Sequence, residues 1–566
     1  MDGIFGIHLG STYSAIAYID ENGEPEVVRN TDGEDTTPSV VYFEGPGNVV
    51  VGKTAKEAAS FRPDDVVSLI KREMGNQDYT RTFYGQELSP SGISALILAA
   101  LAKSAEEETH RRVRQVVITV PAYFGELEKD ATRKAGEIAG LDVIGIVPEP
   151  VAAALACRVT GSADGTTFLV YHLGGGTFDI TLIKVAGSFV EVLAVDGDHK
   201  LGGTDWDARL FEYLKDQAIE QSGDDSIEDD EASMQELRRL AEETKKALTK
   251  AGSWKVSHRL AGGMATSITV TRQQFEELTW DLLEETVRIT CRMLEKAGER
   301  FPGVRDQIGG LLLVGGSSRM PAVAERLRLE FGVEPALSDP DLAVVKGAAL
   351  YAAGQTVRVA DAAIGAGERY ASGGGYGMAG RTGLEAAQVE KLAGKTIVNV
   401  LPKAVGIKLA YDKPDWDSLP ENEQFYIEHL VPAQTQLPYK TDEFTVGTMI
   451  ANQKLIEVEI WEQGGAVPDQ ALSANHRVDG ACLIELGSFR LPAGSPIDIT
   501  FDVDGEGTVT LLAVEPVSGK QLNVSMKILI MPDEQAGKDK TIVSAAGQQA
   551  GGARAVQRAT TCPSST

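Results

Sequence analysis

The sequence predicts a two-lobed α/β domain over residues 1–355, followed by a small antiparallel β-domain over residues 397–530. Three observations predict this order. Strand-like and helix-like segments alternate along the first part, a His-Leu-Gly hairpin occurs twice within it, and the last part alternates like half-buried strands. A chain of 566 residues that is 43% hydrophobic can bury the cores of several such units.

The α/β prediction rests on strand and helix pairs. VVITV (116–120) is typical of a buried strand, and GELEKDATRKAGEIAG (125–140) of the helix that follows it. LLLVGG (311–316) and MPAVAERLRLEF (320–331) form a second pair. The mixed charges of residues 226–251 predict a long helix with a solvated face.

The remaining segments differ in composition. Residues 356–396 contain ASGGGYGMAGRTG and predict a glycine-rich linker, in which 384–394 is compatible with one short helix. LIEVEIWEQ (455–463) alternates with Ile456, Val458 and Ile460 on one face, and residues 497–514 form two alternating runs around a DGEG turn. Residues 531–566 are rich in small and polar residues and predict a disordered tail.

The charge balance excludes several classes of partner. The formal net charge of −28 argues against nucleic acid and anionic membranes, both of which attract clustered Lys and Arg. The first residues do not form a secretory signal, and no apolar stretch is long enough to span a bilayer, so we expect a cytoplasmic protein. Binding of a small anion in a cleft stays open, because backbone N–H groups can provide it.

The duplicated hairpin is the strongest internal signal. FGIHLGSTYSAIAYID (5–20) and LVYHLGGGTFDITLIKV (169–185) each contain a strand, a His-Leu-Gly turn with small residues, and a second strand. Glycines at such a turn let backbone N–H groups approach an anion, so one hairpin from each lobe would clamp a polyphosphate. A third glycine motif, VGGSSRMP (314–321), strengthens this interpretation, and the equivalent pairs are His8/His172, Gly10/Gly174 and Thr12/Gly176.

These segments resemble the seventy-kilodalton heat-shock chaperone family. The same resemblance is found in TTPSVVYF, VVITVPAYF, PEPVAAALA, GDHKLGGTDWD, LLVGGSSRMP and SDPDLAVVKGAAL. The resemblance covers residues 3–355 and continues more weakly over 397–530. It implies an actin-like ATPase domain that binds ATP or ADP with Mg²⁺. It also implies a β-sandwich that binds polypeptides, and it implies that the protein interacts with co-chaperones.

The resemblance also implies roles for single residues. The phosphates would be held by Gly10, Ser11, Thr12, Tyr13, Gly174, Gly175, Gly176 and Thr177. Lys71 would lie beside the γ-phosphate, and Glu149 and Asp179 would hold water near the metal. The adenosine would lie between Glu242, Lys245, Lys246 and Thr249 on one side and Gly315, Gly316, Ser317, Arg319 and Asp341 on the other. Pro121 and Lys129 match positions that relay the nucleotide state to the second domain.

The sequence departs from the family at two catalytic positions. His8 and His172 stand where the family has aspartates that orient hydrated Mg²⁺ and the attacking water. The interpretation we favour is a pseudo-ATPase that binds nucleotide with weak or lost hydrolysis, because imidazole is a poor ligand for Mg²⁺. The alternative is a metalloenzyme in which His8, His172 and Asp179 or Glu149 bind iron or zinc and act on a small molecule.

The β-domain departs from the family as well. A longer, acidic segment (410–429) replaces the short loop beside the family's peptide groove, and no counterpart of the helical lid is expected. The linker is also longer and richer in glycine than the family's. A third hypothesis is therefore a structural binding module whose cleft takes no ligand.

Overall fold

The computed structural model describes most of the two predicted domains. The described residues are 2–157, 165–186, 189–223, 225–259, 265–365, 396–411, 418–448, 451–465, 467–486, 490–517, 519–521, 523–526 and 535–546. The predicted short helix at 384–394, most of the predicted linker, and the tail segments 531–534 and 547–566 lie outside these residues.

The first lobe is built on a mixed sheet flanked by helices. Its sheet has the order β11-β10-β1-β2-β3, with β4 paired to β2. The strands are β1 (Asp2–His8), β2 (Tyr13–Ile19), β3 (Pro25–Val27), β4 (Thr37–Pro38), β5 (Val41–Gly45), β6 (Asn48–Val51), β7 (Val66–Val67), β8 (Arg81–Phe83), β9 (Gln86–Leu88), β10 (Arg112–Val120) and β11 (Asp142–Pro148). The helices are α1 (Lys53–Ala58), α2 (Pro90–Thr109), α3 (Glu126–Ile138) and α4 (Glu149–Ala156), with 3-10 turns at Pro63–Asp65 and Ile70–Glu73.

The second lobe repeats this plan. Its sheet has the order β18-β17-β12-β13-β14-β19. The strands are β12 (Thr166–Leu173), β13 (Phe178–Ala186), β14 (Phe189–Asp198), β15 (Ser253–Arg259), β16 (Ala265–Thr271), β17 (Ile308–Val314) and β18 (Pro335–Leu337). The helices are α5 (Gly203–Ser222), α6 (Glu231–Leu248), α7 (Arg272–Leu278), α8 (Trp280–Arg300), α9 (Pro321–Phe331) and α10 (Ala343–Gly365), with 3-10 turns at Asp225–Asp229, Val304–Gln307 and Gly316–Arg319.

The two sheets have the same strand topology, as the duplicated hairpin predicts. Strand β1 pairs antiparallel with β2 and in parallel with β10, and β12 likewise pairs antiparallel with β13 and in parallel with β17. The strands predicted at 116–120 and 311–316 are confirmed as parts of β10 and β17, and the predicted helices as α3, α6 and α9. The carboxyl ends of β1, β10, β12 and β17 therefore carry loops into the space between the lobes.

Helices α4 and α10 join the lobes through very close packing. A β-carbon at Gly347 would lie 1.7 Å from the carbonyl oxygen of Ala152, and one at Gly6 would lie 2.2 Å from the backbone nitrogen of Ala349. Glycine at both positions lets α10 lie directly against α4 and β1. Buried aliphatic residues from both sheets, including Val117 and Val170, form the core between the lobes.

The β-domain is a sandwich of two sheets, with orders β21-β20-β24-β25-β29 and β22-β26-β27-β28, and β23 paired to β26. Residues of both sheets share one core. The predicted strand 455–463 and the hairpin of 497–514 are confirmed as β24 and as β26 with β27. The elements are β19 (Thr396–Val398), β20 (Val405–Ala410), α11 (Glu421–Gln424), β21 (Phe425–Val431), β22 (Tyr439–Lys440), β23 (Phe444–Gly447), β24 (Leu455–Gln463), a 3-10 turn at Leu472–Ala474, β25 (Asn475–Glu485), β26 (Pro496–Val503), β27 (Val509–Glu515), β28 (Lys520–Gln521) and β29 (Asn523–Met526).

Three boundaries differ from the prediction. Helix α10 crosses the predicted domain boundary at 355 and continues to residue 365, because no proline interrupts its alanine-rich sequence. Strand β19 pairs in parallel with β14 of the second lobe instead of joining the sandwich, which extends an open sheet edge. Residues 535–546 of the predicted disordered tail form a helix, named α12 here, whose Ile542 and Val543 are buried in the core of the first lobe.

The described part of the chain contains no helix with the length and apolar character that crossing a membrane requires.

Candidate functional site

Two hairpin loops meet between the lobes. The β1–β2 loop contains Ser11 and Thr12, and the β12–β13 loop contains Gly175 and Gly176. A β-carbon at Gly175 would lie 2.1 Å from Thr12 Oγ1, and one at Gly176 would lie 2.4 Å from Ser11 Cβ. Glycine is therefore needed for the loops to touch, and their backbone groups converge on one region.

A third loop follows β17 and completes this region. Gly315 has φ of 85°, and a β-carbon there would lie 2.3 Å from the carbonyl oxygen of Leu173. Its N–H donates to the carbonyl oxygen of Pro340 at 2.8 Å, and Arg319 forms an ion pair with Asp341. Glycine is thus required both for the backbone conformation and for the approach to β12.

The three loops surround a cavity of about 950 Å³, which is large enough for a nucleotide-sized ligand. The predicted residues Gly176 and Asp179 are buried and do not line it. The other predicted site residues line it together: His8, Gly10, Ser11, Thr12, Tyr13, Lys71, Glu149, His172, Gly174, Gly175, Thr177, Glu242, Lys245, Lys246, Thr249, Gly315, Gly316, Ser317, Arg319 and Asp341.

Helix α6 forms one wall, and Glu242 on it connects the two lobes. Its carboxylate accepts from Lys56 Nζ of α1 at 2.5 Å and from Lys246 Nζ at 2.6 Å. Both ammonium groups lie 5.2 Å from the ring centroid of Tyr13, so the phenol is held between two cations. Burial favours a raised pKa for Glu242, but Lys56 and Lys246 outweigh it and lower the pKa to about 2.

The lining at the base of the cavity and the residues directly against it, together called the cavity floor, contain the two histidines and three buried charged groups. Lys71 Nζ bonds to Glu149 Oε1, and both side chains are almost completely buried. His172 Nδ1 lies 3.2 Å from Glu149 Oε2 and 3.5 Å from Asp179 Oδ2. His8 Nδ1 lies 3.7 Å from Glu149 Oε1. Glu149 therefore faces both imidazoles and the lysine.

The two histidines have different neighbours, although the hairpins repeat. On β13, Asp179 is the cross-strand partner of His172, whereas the equivalent partner of His8 on β2 is Ala15. His8 Nδ1 instead lies 2.9 Å from Thr119 Oγ1 on β10. Burial lowers the pKa of His8 to about 3, since Lys71 and His172 add to its effect and Glu149 offsets only part of it. The His8 imidazole is therefore neutral at physiological pH.

The two carboxyl groups of the floor are shifted in opposite directions. Burial alone favours a raised pKa for Glu149, but Lys71 and the two imidazoles lower the pKa to about 2. Burial raises the pKa of Asp179, and the charge of Glu149 adds to this shift. Asp179 Oδ1 accepts from the Ala122 N–H at 2.7 Å, whereas Asp179 Oδ2 and His172 Nδ1 are buried without a hydrogen-bond partner.

Comparison with known proteins decides the family. The profile described as "Hsp70 protein" matches residues 4–364. The "Chaperone protein DnaK" of Halobacterium salinarum, from two strains, is 34% identical over 538 residues, which are 93% of this chain and 75% of that protein.

The chain belongs to the Hsp70 family.

Hsp70 proteins bind ATP or ADP with Mg²⁺, and they bind polypeptides and co-chaperones. In this Hsp70 protein the donor atoms of the floor do not fit hydrated Mg²⁺, which prefers oxygen ligands. Imidazoles occupy two positions, one oxygen of Glu149 bonds to Lys71, and Asp179 does not line the cavity.

The predicted metal ligands are only partly brought together. Among the residues that the structure describes, Glu149, His172 and Asp179 place one ligand atom each within 4.8 Å of one another. His8 is not part of this group: its Nδ1 lies 2.9 Å from Thr119 Oγ1 and 3.7 Å from Glu149 Oε1, which bonds to Lys71. The site with two histidines and one carboxylate stays a prediction.

The sequence analysis did not identify three residues that contact this Hsp70 site. Lys56 contacts Glu242, 186 residues away, and Thr119 contacts His8, 111 residues away. Arg72 donates to the carbonyl oxygen of Gly176 at 2.8 Å and to Asp205 at 2.7 Å. No local pattern marks the first two. Arg72 directly follows Lys71 in SLIKREMG, so its position beside the phosphate loops was the one available signal.

The β-domain contacts the first lobe next to the predicted relay residues Pro121 and Lys129. Lys129 Nζ lies 3.3 Å from the carbonyl oxygen of Glu506 in the β26–β27 turn. Lys403 Nζ bridges Glu128 at 2.8 Å and Glu462 at 3.2 Å, and Glu462 accepts from the Glu126 N–H at 2.9 Å. The start of α3 is therefore one part of the ATPase-like domain that touches the β-sandwich; β14 of the second lobe is another, because the Val195 N–H donates to Gln434 Oε1 at 2.9 Å.

Proposed function

We propose that this protein is a cytoplasmic Hsp70-type chaperone that binds ATP or ADP between its lobes and hydrolyses ATP weakly. The observation that carries the proposal is the cavity lined by both hairpin loops and by α6, because its glycines bring backbone N–H groups of two lobes to one place. The β-sandwich would bind a polypeptide or another partner protein, and co-chaperones would act on the ATPase-like domain.

Weak hydrolysis follows from the chemistry of the floor. A neutral imidazole with a pKa of about 3 is too weak a base to take a proton from water at neutral pH. The charge of Lys71 is balanced by Glu149, which limits its attraction for a phosphate. The imidazoles would bind and orient phosphate oxygens through Nε2, since His8 Nε2 would lie 3.0 Å from a β-carbon at Gly10.

Equilibrium binding of a fluorescent ATP analogue to the full chain tests the nucleotide proposal. We expect saturable binding that ATP and ADP both compete away. Gly175→Val should weaken binding at least tenfold, because its side chain would collide with Thr12. Gly298→Ala is the matched control, since no atom lies within 4 Å of its β-carbon position and its backbone is helical. Binding that is absent, or equal in the Gly175 variant, contradicts the proposal.

The metalloenzyme alternative has one supporting observation, the group formed by Glu149, His172 and Asp179. The same cavity is lined by glycine loops suited to phosphates, which favours a nucleotide over other small molecules. A nucleotide is therefore the ligand that we propose for this cavity.

A further inference from the structure

Three side chains of the cavity floor form a closed group of ligand atoms. Glu149 begins α4, and His172 and Asp179 are cross-strand partners on β12 and β13, so the sheet register fixes their relative position. Their exposed fractions are 1%, 3% and 0%. Each element is anchored in the core, so these side chains have little freedom to separate.

Two distances within this group match those around a small tetrahedral metal ion. His172 Nδ1 lies 3.2 Å from Glu149 Oε2 and 3.5 Å from Asp179 Oδ2. Nitrogen and oxygen ligands bind Zn²⁺ at roughly 2.0–2.2 Å, which separates neighbouring tetrahedral ligands by about 3.3–3.6 Å. The imidazole nitrogen thus stands near this spacing from both carboxylates, and the two carboxylate oxygens lie within 4.8 Å of each other.

The polar atoms of the group also lack other partners. His172 Nδ1 and Asp179 Oδ2 are buried without a hydrogen bond, although buried polar groups are normally satisfied. Lys71 occupies only Glu149 Oε1, which leaves Oε2 directed at His172. Asp179 Oδ1 is held by the Ala122 N–H, which orients the opposite oxygen toward the imidazole. Two carboxylates and one lysine leave a net negative charge that a divalent cation would neutralise.

We propose that Glu149 Oε2, His172 Nδ1 and Asp179 Oδ2 bind a divalent first-row transition ion such as Zn²⁺ in preference to Mg²⁺. A nitrogen donor favours such ions over Mg²⁺. Glu149 and His172 line the cavity, so a fourth coordination position faces it. Ligation through Nδ1 leaves the proton of His172 on Nε2, which would lie 3.8 Å from a β-carbon at Gly174 in the phosphate loop.

Metal titration of the full chain without nucleotide tests this proposal and leaves the nucleotide proposal untouched. After chelator treatment, we expect one Zn²⁺ per chain bound at least 100-fold more tightly than Mg²⁺. Co²⁺ should occupy the same position and give the intense visible absorption of a four-coordinate site.

Asp179→Asn is the main variant, because it keeps the oxygen that accepts from Ala122 and removes the ligand oxygen. It should weaken Zn²⁺ binding at least tenfold, and His172→Asp should shift the preference toward Mg²⁺. His476→Asn, at an exposed histidine of β25, is the control and should bind Zn²⁺ like the wild type. Circular dichroism and thermal unfolding check that each variant folds.

Two results overturn the proposal: no stoichiometric Zn²⁺ in the wild type, or unchanged Zn²⁺ affinity in folded Asp179→Asn. If that variant fails to fold, the Co²⁺ spectrum of the wild type decides. A four-coordinate spectrum that Zn²⁺ displaces at one equivalent supports the site, and a six-coordinate spectrum like that of hydrated Co²⁺ contradicts it.

Discussion

His8 and Thr119 are direct partners on the parallel strands β1 and β10, and His8 Nδ1 lies 2.9 Å from Thr119 Oγ1. This contact holds the imidazole at the edge of the floor, where burial lowers its pKa to about 3. His8 stands where the resemblance to the family implies a catalytic aspartate, and its imidazole is neutral where an aspartate would carry a negative charge.

Replacing both histidines by the family's residues should restore hydrolysis. We expect His8→Asp with His172→Asp to raise the rate of phosphate release from ATP at least tenfold, because two carboxylates can orient hydrated Mg²⁺ and water. A coupled phosphate assay in excess Mg²⁺ measures this. His476→Asn should leave the rate unchanged. A double variant that folds, binds ATP and stays as slow as the wild type would refute this explanation of weak hydrolysis.

The bridge between Lys56 and Glu242 should control nucleotide release. Lys56→Ala removes a contact between α1 and α6 that closes the cleft, so we expect release to become several-fold faster. Stopped-flow measurement with a fluorescent ADP analogue gives the rate. Lys53→Ala, at an exposed position of the same helix, is the control. Equal release rates in both variants would mean that the bridge does not limit opening.

Contact between the domains should depend on pH. Burial raises the pKa of Glu126 to about 7, with Lys129 opposing and Glu462 adding to the shift. Because this value lies above the ordinary 4.5, the docked form holds more protons between these pH values, so docking weakens as pH rises from 4.5 to 7. Hydrogen–deuterium exchange of the β26–β27 turn and of the start of α3 measures docking.

Glu126→Gln should reduce this pH dependence. Part of the pH dependence should remain in this variant, because the pKa values of Glu462 and Glu506 are raised as well. The other charged groups nearby are Lys129, Lys403, Glu128, Asp504 and Arg133. Glu137→Gln, at an exposed position of α3, should not change it. Docking that strengthens with rising pH in the wild type would show that other groups dominate.

The packing of α10 gives a prediction about stability. Gly347→Ala should lower the free energy of unfolding by about 1–3 kcal/mol, because the added carbon collides with Ala152. Gly298→Ala, on α8 with no atom within 4 Å of the new carbon, should be neutral or stabilising by about 0.4–1 kcal/mol. Urea unfolding compares them, and a Gly347 variant as stable as the Gly298 variant would contradict this packing.

Local patterns predicted the parts of the fold that depend on nearby residues. The strands β10, β17 and β24 follow from runs of apolar residues, and the topology of the two lobes follows from the repeated hairpin. The resemblance placed most site residues around one cavity. Periodicity and motif spacing report on neighbours in the chain, which explains this success.

Patterns in neighbouring residues do not predict contacts between distant segments of the chain. The helix α12 packs on α2 through Asp539, which accepts from Ser89 Oγ at 2.6 Å across 450 residues. Its small and polar residues are typical of a disordered segment, so its sequence alone does not predict that it packs against the first lobe. The contact between His8 and Thr119, 111 residues apart, could not be predicted for the same reason.

Calorimetric titration of the full chain with ATP, with phosphate release followed in the same sample, tests whether the protein binds nucleotide but hydrolyses it weakly. We expect a one-site isotherm with a dissociation constant below ~10 μM. We also expect turnover at least tenfold slower than in the His8→Asp, His172→Asp variant. No heat at protein concentrations well above ~10 μM, or turnover as fast as in that variant, would contradict it.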